Sequence, residues 1–449
     1  MRNIRAIFLQ PNMAFVFFLG FASGLPLALT GSTLNAWFTQ NNFSLASLGF
    51  AGLIATPYTF KFLWAPFMDR WSFPLFKNLG RRRDWILCTQ LLLCVAIVAM
   101  SSFSPATEAQ TIVILGVLVA FLAASQDIVI DAYKLDLLHS EEYSLGAGVA
   151  NDGYRIAMLI SSGLALVLAD TIGWRNTYAV LAEIMALCTL VTYFAPKIER
   201  VESTTKSTWK DTVVVPFSEL LSRKGAIAFL LFIALYKLGD AFTGVLVRTF
   251  LMREMHLTLT QMGTIIKFSF FFGAVLGGTI GGLLTLRFGL YRALIIFGLC
   301  QALVNLIYLI LFWTGPNLGV IVFATFMDDF FGGMGQAALM GLVMGFCNRR
   351  FGAAQFALLT SLSALGRTFI DPVAGLIAQH WGWKAYFVGG FAFALPGLIL
   401  LYTVLKNKVD AIYLRDDMED EREGVPTGPA GGGTSSSSLP HFARSAKST

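Results

Sequence analysis

Long apolar stretches separated by short polar loops repeat along almost the whole chain. An α-helix needs about 20 apolar residues to cross a hydrocarbon core about 30 Å thick. This pattern predicts an all-α integral membrane protein with 12 transmembrane helices, called spans 1 to 12 in chain order. The spans are expected at residues 12–36, 46–66, 85–104, 111–133, 145–169, 175–196, 225–247, 262–285, 291–313, 318–344, 352–378 and 383–405.

The composition agrees with this prediction. Of the 449 residues, 56% are hydrophobic and only 13% are charged, with a mean hydropathy of +0.67. A soluble domain carries about 25% charged residues. The first apolar run is too long for the core of a signal peptide, so we expect an uncleaved span. The net charge of +6 belongs to membrane topology, and we predict no nucleic-acid partner.

Residues that catalysis or metal binding would require are sparse. The five cysteines lie in or beside apolar segments without metal-ligand spacing, and the four histidines are scattered. The sequence shows neither a nucleophile motif nor a phosphate-binding loop. We therefore expect no metal, no cofactor and no enzymatic activity. A membrane-bound sensor or enzyme is the weaker alternative.

The positive charges indicate an orientation. Most Lys and Arg residues lie in the N-terminal segment, in the loops after even-numbered spans and in residues 406–424. The opposite loops hold only Arg175, Arg248, Arg253 and Lys384. Because cytoplasmic loops carry the excess of positive charge, both termini are predicted to be cytoplasmic.

Two similar halves are predicted. A polar loop at 197–224 separates a six-helix half at 1–196 from another at 225–405, and a Gly/Ser-rich tail at 406–449 has the composition of a disordered segment. The sequence FSLASLG at 43–49 resembles LTLTQMG at 257–263, and Gly-Trp-Arg at 173–175 resembles Gly-Trp-Lys at 382–384. Two six-helix repeats around a midplane site are typical of a secondary transporter.

Three charged residues of span 4 stand out. Asp127, Asp131 and Lys134 are spaced to lie on one face of a helix that continues an apolar run. A charge at the centre of a bilayer costs about 2.5–3.5 kcal/mol, so such residues normally face a bundle interior or a wet cavity. The alternative is that both acids sit at a wet helix end and pair with Lys134.

Other charges also fall within the predicted spans. Three pairs are spaced to neutralise each other on one helix, namely Asp152 with Arg155, Lys237 with Asp240, and Arg367 with Asp371. Each could instead be a purely structural ion pair. The remaining charges in the spans are Lys61, Glu183, Lys267, Asp328 and Asp329.

A charged motif follows span 2. The sequence APFMDR ends at Arg70, and GRRR begins at Gly80, which resembles the loop signature of the major facilitator superfamily. Nine residues separate the two parts, where the usual pattern has one. The resemblance implies a conformational latch made of Asp69, Arg70, Arg81 and Arg82. The alternative is a stop-transfer charge cluster.

Longer motifs narrow the resemblance. They are GFASGLPLAL at 20–29, FKFLWAPFMDR at 60–70, ASQDIV at 124–129 followed by Asp131, LYKLGDA at 235–241 and QFALL at 355–359. Together they resemble the AmpG-type muropeptide permeases over essentially all twelve spans. Some members of that family carry two further C-terminal spans, which we expect to be dispensable here.

This resemblance implies a function. It implies a multi-pass importer in the inner membrane of a Gram-negative bacterium, serving peptidoglycan recycling and β-lactamase induction. The implied substrates are N-acetylglucosaminyl-1,6-anhydro-N-acetylmuramic acid and its peptide-bearing forms, driven by the proton gradient. In this fold, spans 1, 4, 7 and 10 line the cavity. Asp127 and Asp131 match the pair of acids that the family carries on span 4.

The resulting hypothesis is a monomeric, proton-coupled muropeptide importer. Asp131, supported by Asp127, is expected to bind the proton and to release a pairing with Lys134, Arg155 or Lys237. The predicted substrate-binding residues are Gln126, Tyr154, Arg155, Lys237, Asp240, Arg367 and Lys61. The main alternative is another major-facilitator solute carrier, such as an efflux pump or an acyl-CoA-type transporter.

Overall fold

Every predicted span is helical in the computed structural model, which describes residues 11–70, 80–138, 143–197, 215–223, 225–346 and 352–406. Spans 1 to 6 contain the helices Pro11–Thr30, Ser32–Gln40, Leu45–Ala51, Thr56–Phe60, Ala65–Arg70, Arg81–Ser101, Pro105–Leu137, Tyr143–Leu159 and Ala165–Phe194. Spans 7 to 12 contain Ala226–Tyr236, Leu238–Arg253, Leu259–Phe268, Val275–Phe288, Leu290–Ile307, Leu311–Thr314, Leu318–Phe346 and Gly352–Thr403, and a short helix, Val215–Ser222, precedes them. The predicted tail beyond Lys406 and most of the predicted central loop lie outside the described residues.

Nine helical stretches in the described part of the chain are long and apolar enough to cross a membrane. Two of them, Gly148–Phe194 and Ala364–Thr403, run for 47 and 40 residues, far more than the roughly 20 that one crossing needs. Each bends at a glycine with positive φ, 81° at Gly173 and 77° at Gly382. Glycine suits these bends because it has no Cβ to clash in that conformation.

The repeated sequence motifs have equivalent structures in the two halves. Each bend glycine is followed by a tryptophan that reaches back to the end of the half's first span. Trp174 donates a 2.5 Å hydrogen bond to Gln40, and Trp383 donates a 2.9 Å bond to Glu254. The other repeat places Ser44 and Thr258 at helix N-caps, where each side chain accepts a backbone N–H.

Several spans are irregular where polar residues cluster. Span 2 is broken by 3₁₀ turns at Gly52–Ala55 and Lys61–Leu63. Spans 5 and 8 carry π-helical turns at Ile160–Leu164 and Ser269–Ala274, and span 7 is interrupted at Lys237. Such interruptions are tolerated at membrane depth only where protein or water satisfies the freed backbone groups.

Small residues allow the halves to approach closely. Gly49 of span 2 lies against Gly375 of span 11, and Gly163 of span 5 lies against Gly263 of span 8. A Cβ at Gly49, Gly375 or Gly263 would overlap the backbone of the opposite half. This is the small-residue packing that brings membrane helices together in the absence of a hydrophobic driving force.

Polar contacts reinforce the meeting of the halves at the end that carries the 1–2 and 7–8 loops. Arg253 donates to the carbonyls of Thr39 at 3.0 Å and Phe43 at 2.7 Å. Thr260 donates from its hydroxyl to Asp170 at 2.5 Å. These bonds hold the chain closed at this end.

Candidate functional site

The carboxylate of Asp127 is the focus of a buried cluster in the N-terminal half. The residue is only 8% exposed. The hydroxyl of Ser23 on span 1 donates to the carboxylate, and Lys61 Nζ on span 2 lies 3.7 Å from it. Residues from spans 1, 2 and 4 thus converge on a single carboxylate, as expected for a charge kept at membrane depth.

Lys61 reaches Asp127 because span 2 is irregular at this point. The lysine begins the 3₁₀ turn Lys61–Leu63, and three residues later the Trp64 indole donates a 3.0 Å bond to Ser125 Oγ. Spans 2 and 4 are therefore held together by this hydrogen bond as well as by the ion pair. The lysine side chain is 33% exposed, so its charge keeps partial access to solvent.

Gln126 has a structural role in addition to its predicted place in the binding site. Its side-chain amide donates a 2.8 Å bond to the carbonyl of Ala22 on span 1. That carbonyl lacks its usual helical partner because the residue four positions later is Pro26, which has no N–H. Gln126 therefore satisfies the acceptor that the proline leaves open.

Aromatic side chains form the wall beside Asp127. The hydroxyl of Tyr58 is buried and lies within electrostatic reach of both Asp127 and Tyr154. The backbone of Tyr154 packs directly on Gly24 of span 1. Tyr154, predicted as a substrate-binding residue, is thus close to the Asp127 cluster.

Asp131 has a different environment. Its side chain is 61% exposed and pairs with Lys134 at 2.8 Å. The alternative of a wet, lysine-paired acid therefore describes Asp131, whereas Asp127 is buried and pairs with Lys61. One helical turn separates a buried acid from an accessible one.

A second polar cluster lies in the C-terminal half, around the break in span 7. Lys237 pairs with Asp240 at 2.7 Å, as their spacing predicts, and donates a 3.1 Å bond to the carbonyl of Gly332 on span 10. Gln301 Nε2 on span 9 donates to Asp240 and to Asp328, each at 2.8 Å. The Tyr308 hydroxyl donates to Asp328 at 3.0 Å.

The structure describes the other two predicted binding residues, Arg155 and Arg367, less fully. Arg155 and Asp152 are both exposed and form no ion pair with each other in the described part of the chain. Arg367 lies in the helix Gly352–Thr403, but its side chain is outside the described residues. Asp371 packs against Gly52 of the opposite half.

The structure describes the side chains of the two later residues of the predicted latch, Arg81 and Arg82, which stays a prediction. Arg82 pairs with Asp136 at 2.8 Å and also donates to the carbonyl of Ala132, so it fastens the start of span 3 to the end of span 4. Arg81 lies one residue before it and is partly buried. Asp69 and Arg70 end the helix Ala65–Arg70, but their side chains are outside the described residues.

Sequence reasoning missed four partners of these clusters, Ser23, Tyr58, Gln301 and Tyr308. Gln301 alone had a usable signal, because an amide inside an apolar span must find hydrogen-bond partners within the protein. Serine and tyrosine are common in membrane helices, so their presence gives no such signal.

A cavity of about 550 Å³ lies between the halves at the closed end, away from both clusters. Its polar lining includes Gln40, Asp170, Arg253 and His256.

The fold matches solved membrane transporters. The nucleoside transporter NupG aligns with a TM-score of 0.66 at 14% identity, covering 90% of this chain and 100% of that one. A POT family transporter solved with 5-aminolevulinic acid aligns with a TM-score of 0.68 at 11% identity, covering 88% and 96%. At these identities the likeness shows the fold alone, an all-helical membrane fold that these structures share.

Sequence comparison identifies the family. The family model of the Major Facilitator Superfamily matches residues 16–243 and 234–423. The anhydromuropeptide permease of Escherichia coli K12 is 44% identical over 396 residues, which are 88% of this chain and 80% of the relative. A putative transporter of Rickettsia conorii, AmpG 4, is 31% identical over 91% of this chain and 100% of its own length. The chain belongs to the major facilitator superfamily and, within it, to the AmpG-type muropeptide permeases.

Proposed function

We propose that this protein is a proton-coupled secondary transporter that imports anhydromuropeptides from the periplasm to the cytoplasm. The substrate class is supported by the 44% identity to the Escherichia coli anhydromuropeptide permease. The single structural observation that carries the coupling is the ion pair of the buried Asp127 with the partly exposed Lys61. The imported products would enter peptidoglycan recycling and the induction of β-lactamase.

The proposal includes a membrane arrangement. Twelve crossings are supported by the two long stretches that bend at Gly173 and Gly382, and by the broken helices of span 2. The excess of Lys and Arg on one side supports cytoplasmic termini in an inner membrane. In that orientation the closed end faces the periplasm, and a substrate bound at the two polar clusters would leave toward the cytoplasm.

The proton step begins at Asp127. Without a bound proton, the carboxylate holds Lys61 by charge attraction in a poorly solvated site. A proton from the periplasm neutralises the carboxylate and leaves the ammonium of Lys61 without its counter-charge. The partly exposed lysine then binds a carboxylate of the substrate, so proton loading favours binding of an anionic solute.

Asp131 completes this route. It lies one turn nearer the cytoplasmic end of span 4 and is largely exposed, which suits a residue that passes the proton from Asp127 to water.

The substrate carries several carboxylates that need positive partners. Lys61 is in place beside the N-terminal cluster, and Lys237 is in place at the break in span 7. We propose that Arg155 and Arg367 hold further carboxylates of the stem peptide. Tyr58 and Tyr154 supply aromatic surface for the sugar rings.

A transport assay tests this function directly. Purified protein in liposomes is given labelled N-acetylglucosaminyl-1,6-anhydro-N-acetylmuramic acid under an imposed inward proton gradient. We expect accumulation that excess unlabelled substrate abolishes and that a reduced, non-anhydro analogue does not. Equal competition by both compounds, or no uptake under any gradient, would favour a different major-facilitator solute carrier.

A further inference from the structure

The polar cluster of the C-terminal half contains more acid than base. Asp240, Asp328 and Asp329 supply three carboxylates, whereas Lys237 and Arg248 supply two cations within electrostatic reach. The charged and titratable side chains that face the cluster from spans 7, 9, 10 and 12 are Lys237, Asp240, Arg248, Tyr236, Cys300, Tyr308, Asp328, Asp329 and Tyr386, and Asp371 of span 11 lies within electrostatic reach of Tyr386. If every carboxylate were ionised, the cluster would hold one uncompensated negative charge at membrane depth, which is costly.

Two of these acids are held close together. Asp240 and Asp328 accept hydrogen bonds from the same nitrogen, Gln301 Nε2, each at 2.8 Å. The two accepting oxygens are therefore at most twice that distance apart. Two carboxylates at such a separation in a poorly solvated site repel each other, and one bound proton would remove that repulsion.

The cluster also lacks one hydrogen-bond donor, just as it lacks one positive charge. Gln301 is only 6% exposed, and its Oε1 has no donor among the described residues. A buried acceptor without a donor costs about 1–3 kcal/mol. One added hydrogen on a carboxyl group would remove both the excess charge and the missing donor, either directly or through one water.

The small volume of the cavity at this cluster limits what can bind there. The cavity bounded by Lys237, Asp240 and Gln301 has a volume of only about 10 Å³. That is room for at most one water molecule, and too little for an amino group of a substrate with its attached chain. Lys237 already occupies the position from which a cation would approach Asp240.

We propose that Asp240 and Asp328, bridged by Gln301, form a second proton-binding site in the C-terminal half. The pair holds one proton on one of its two carboxyl groups, and Lys237 neutralises the remaining negative charge. This inference adds a second proton site to the proposed symport, and the site itself does not depend on the identity of the transported solute.

Infrared difference spectroscopy of the full-length protein tests the site without any substrate. At neutral pH we expect a carbonyl stretching band of a protonated carboxylic acid that shifts in D₂O. Asp328→Asn and Asp240→Asn should each abolish this band, because either change leaves a single carboxylate that pairs with Lys237. Asp152→Asn, which removes an exposed carboxylate, is the matched control and should leave the band unchanged.

The possible outcomes separate the alternatives. A band that survives in both variants, or that disappears in only one of them, would overturn the shared proton. A band that appears only when sodium is removed at constant pH would show a cation site instead and would also overturn it. Two variants guard against the case in which one fails to fold. Failure of muropeptide uptake alone would overturn the proposed function and leave this spectroscopic result intact.

Discussion

Lys61 and Asp127 form an ion pair at 3.7 Å that joins spans 2 and 4 beside the interface with span 1. The pair is asymmetric, since the lysine side chain is 33% exposed and the carboxylate side chain only 11%. A proton that reaches the carboxylate therefore removes the counter-charge of Lys61, the group that can contact solute. This asymmetry links proton binding to substrate binding in the proposed mechanism.

The ion pair predicts a stability coupling between its two members. Lys61→Met leaves the buried carboxylate without a cation and should lower the melting temperature in detergent. Adding Asp127→Asn should restore most of the loss. We expect a coupling of about 1 kcal/mol, at the low end for residues in contact because the lysine is partly solvated. Effects that simply add would show that the two groups do not interact.

Gln126 and Pro26 predict a rescue experiment. Gln126→Leu removes the donor to the Ala22 carbonyl, which should cost about 1–3 kcal/mol for a buried acceptor left unpaired. Pro26→Ala supplies a backbone N–H to the same carbonyl, so the second substitution should recover stability in the Gln126→Leu background. Thermal unfolding of the four proteins measures this. If Pro26→Ala makes the Gln126→Leu variant less stable, the proposed role of Gln126 at the Ala22 carbonyl is wrong.

Substitution of Arg253 is expected to favour a conformation that is open at the closed end. Its two bonds to the carbonyls of Thr39 and Phe43 join the halves at the closed end, and each bond from a charged donor contributes about 1.5–3 kcal/mol. Arg253→Gln should therefore raise the population of molecules whose two halves are separated at that end by tenfold or more. Distances between spin labels on the 1–2 and 7–8 loops report this population. Arg175→Gln, at an exposed arginine of the same end, should leave the distances unchanged.

The glycine contacts predict that an added methyl group can also separate the two halves at the closed end. Gly263 lies against the backbone of Gly163, so Gly263→Ala forces the halves apart at the closed end. Gly278 on the same span has open space around its Cα, and Gly278→Ala is the matched control. Only the first substitution should lengthen the distances between the labelled loops. Equal distances in both variants would argue against close packing there.

Much of the fold followed from the hydrophobic pattern. All twelve apolar windows are helical, and the Gly-Trp repeat marks equivalent bends at Gly173 and Gly382. The breaks at Lys61 and Lys237 were not predictable from hydropathy, because they depend on partners from other spans that satisfy the backbone and the charge.

The site was predicted only in part. The spacing of Lys237 and Asp240 gave a correct pair, since both residues lie within one turn. The partner of Asp127 did not follow from spacing. Lys134 is closer in sequence, but Asp131 takes it, and Lys61 comes from another helix. Ion pairs between helices depend on how the helices pack, and a single sequence does not specify that packing.

The measurement that tests the central claim most directly is gradient-driven uptake by the Asp127→Asn variant. In liposomes with an inward proton gradient, we expect its accumulation of labelled anhydro-disaccharide to fall at least tenfold. Exchange of internal for external substrate without a gradient should persist, because binding and closure do not need the proton-binding carboxylate to ionise. Asp131→Asn should slow uptake while keeping the response to the gradient. An Asp127→Asn protein that accumulates substrate as fast as the parent, and still responds to the gradient, would contradict the proton site.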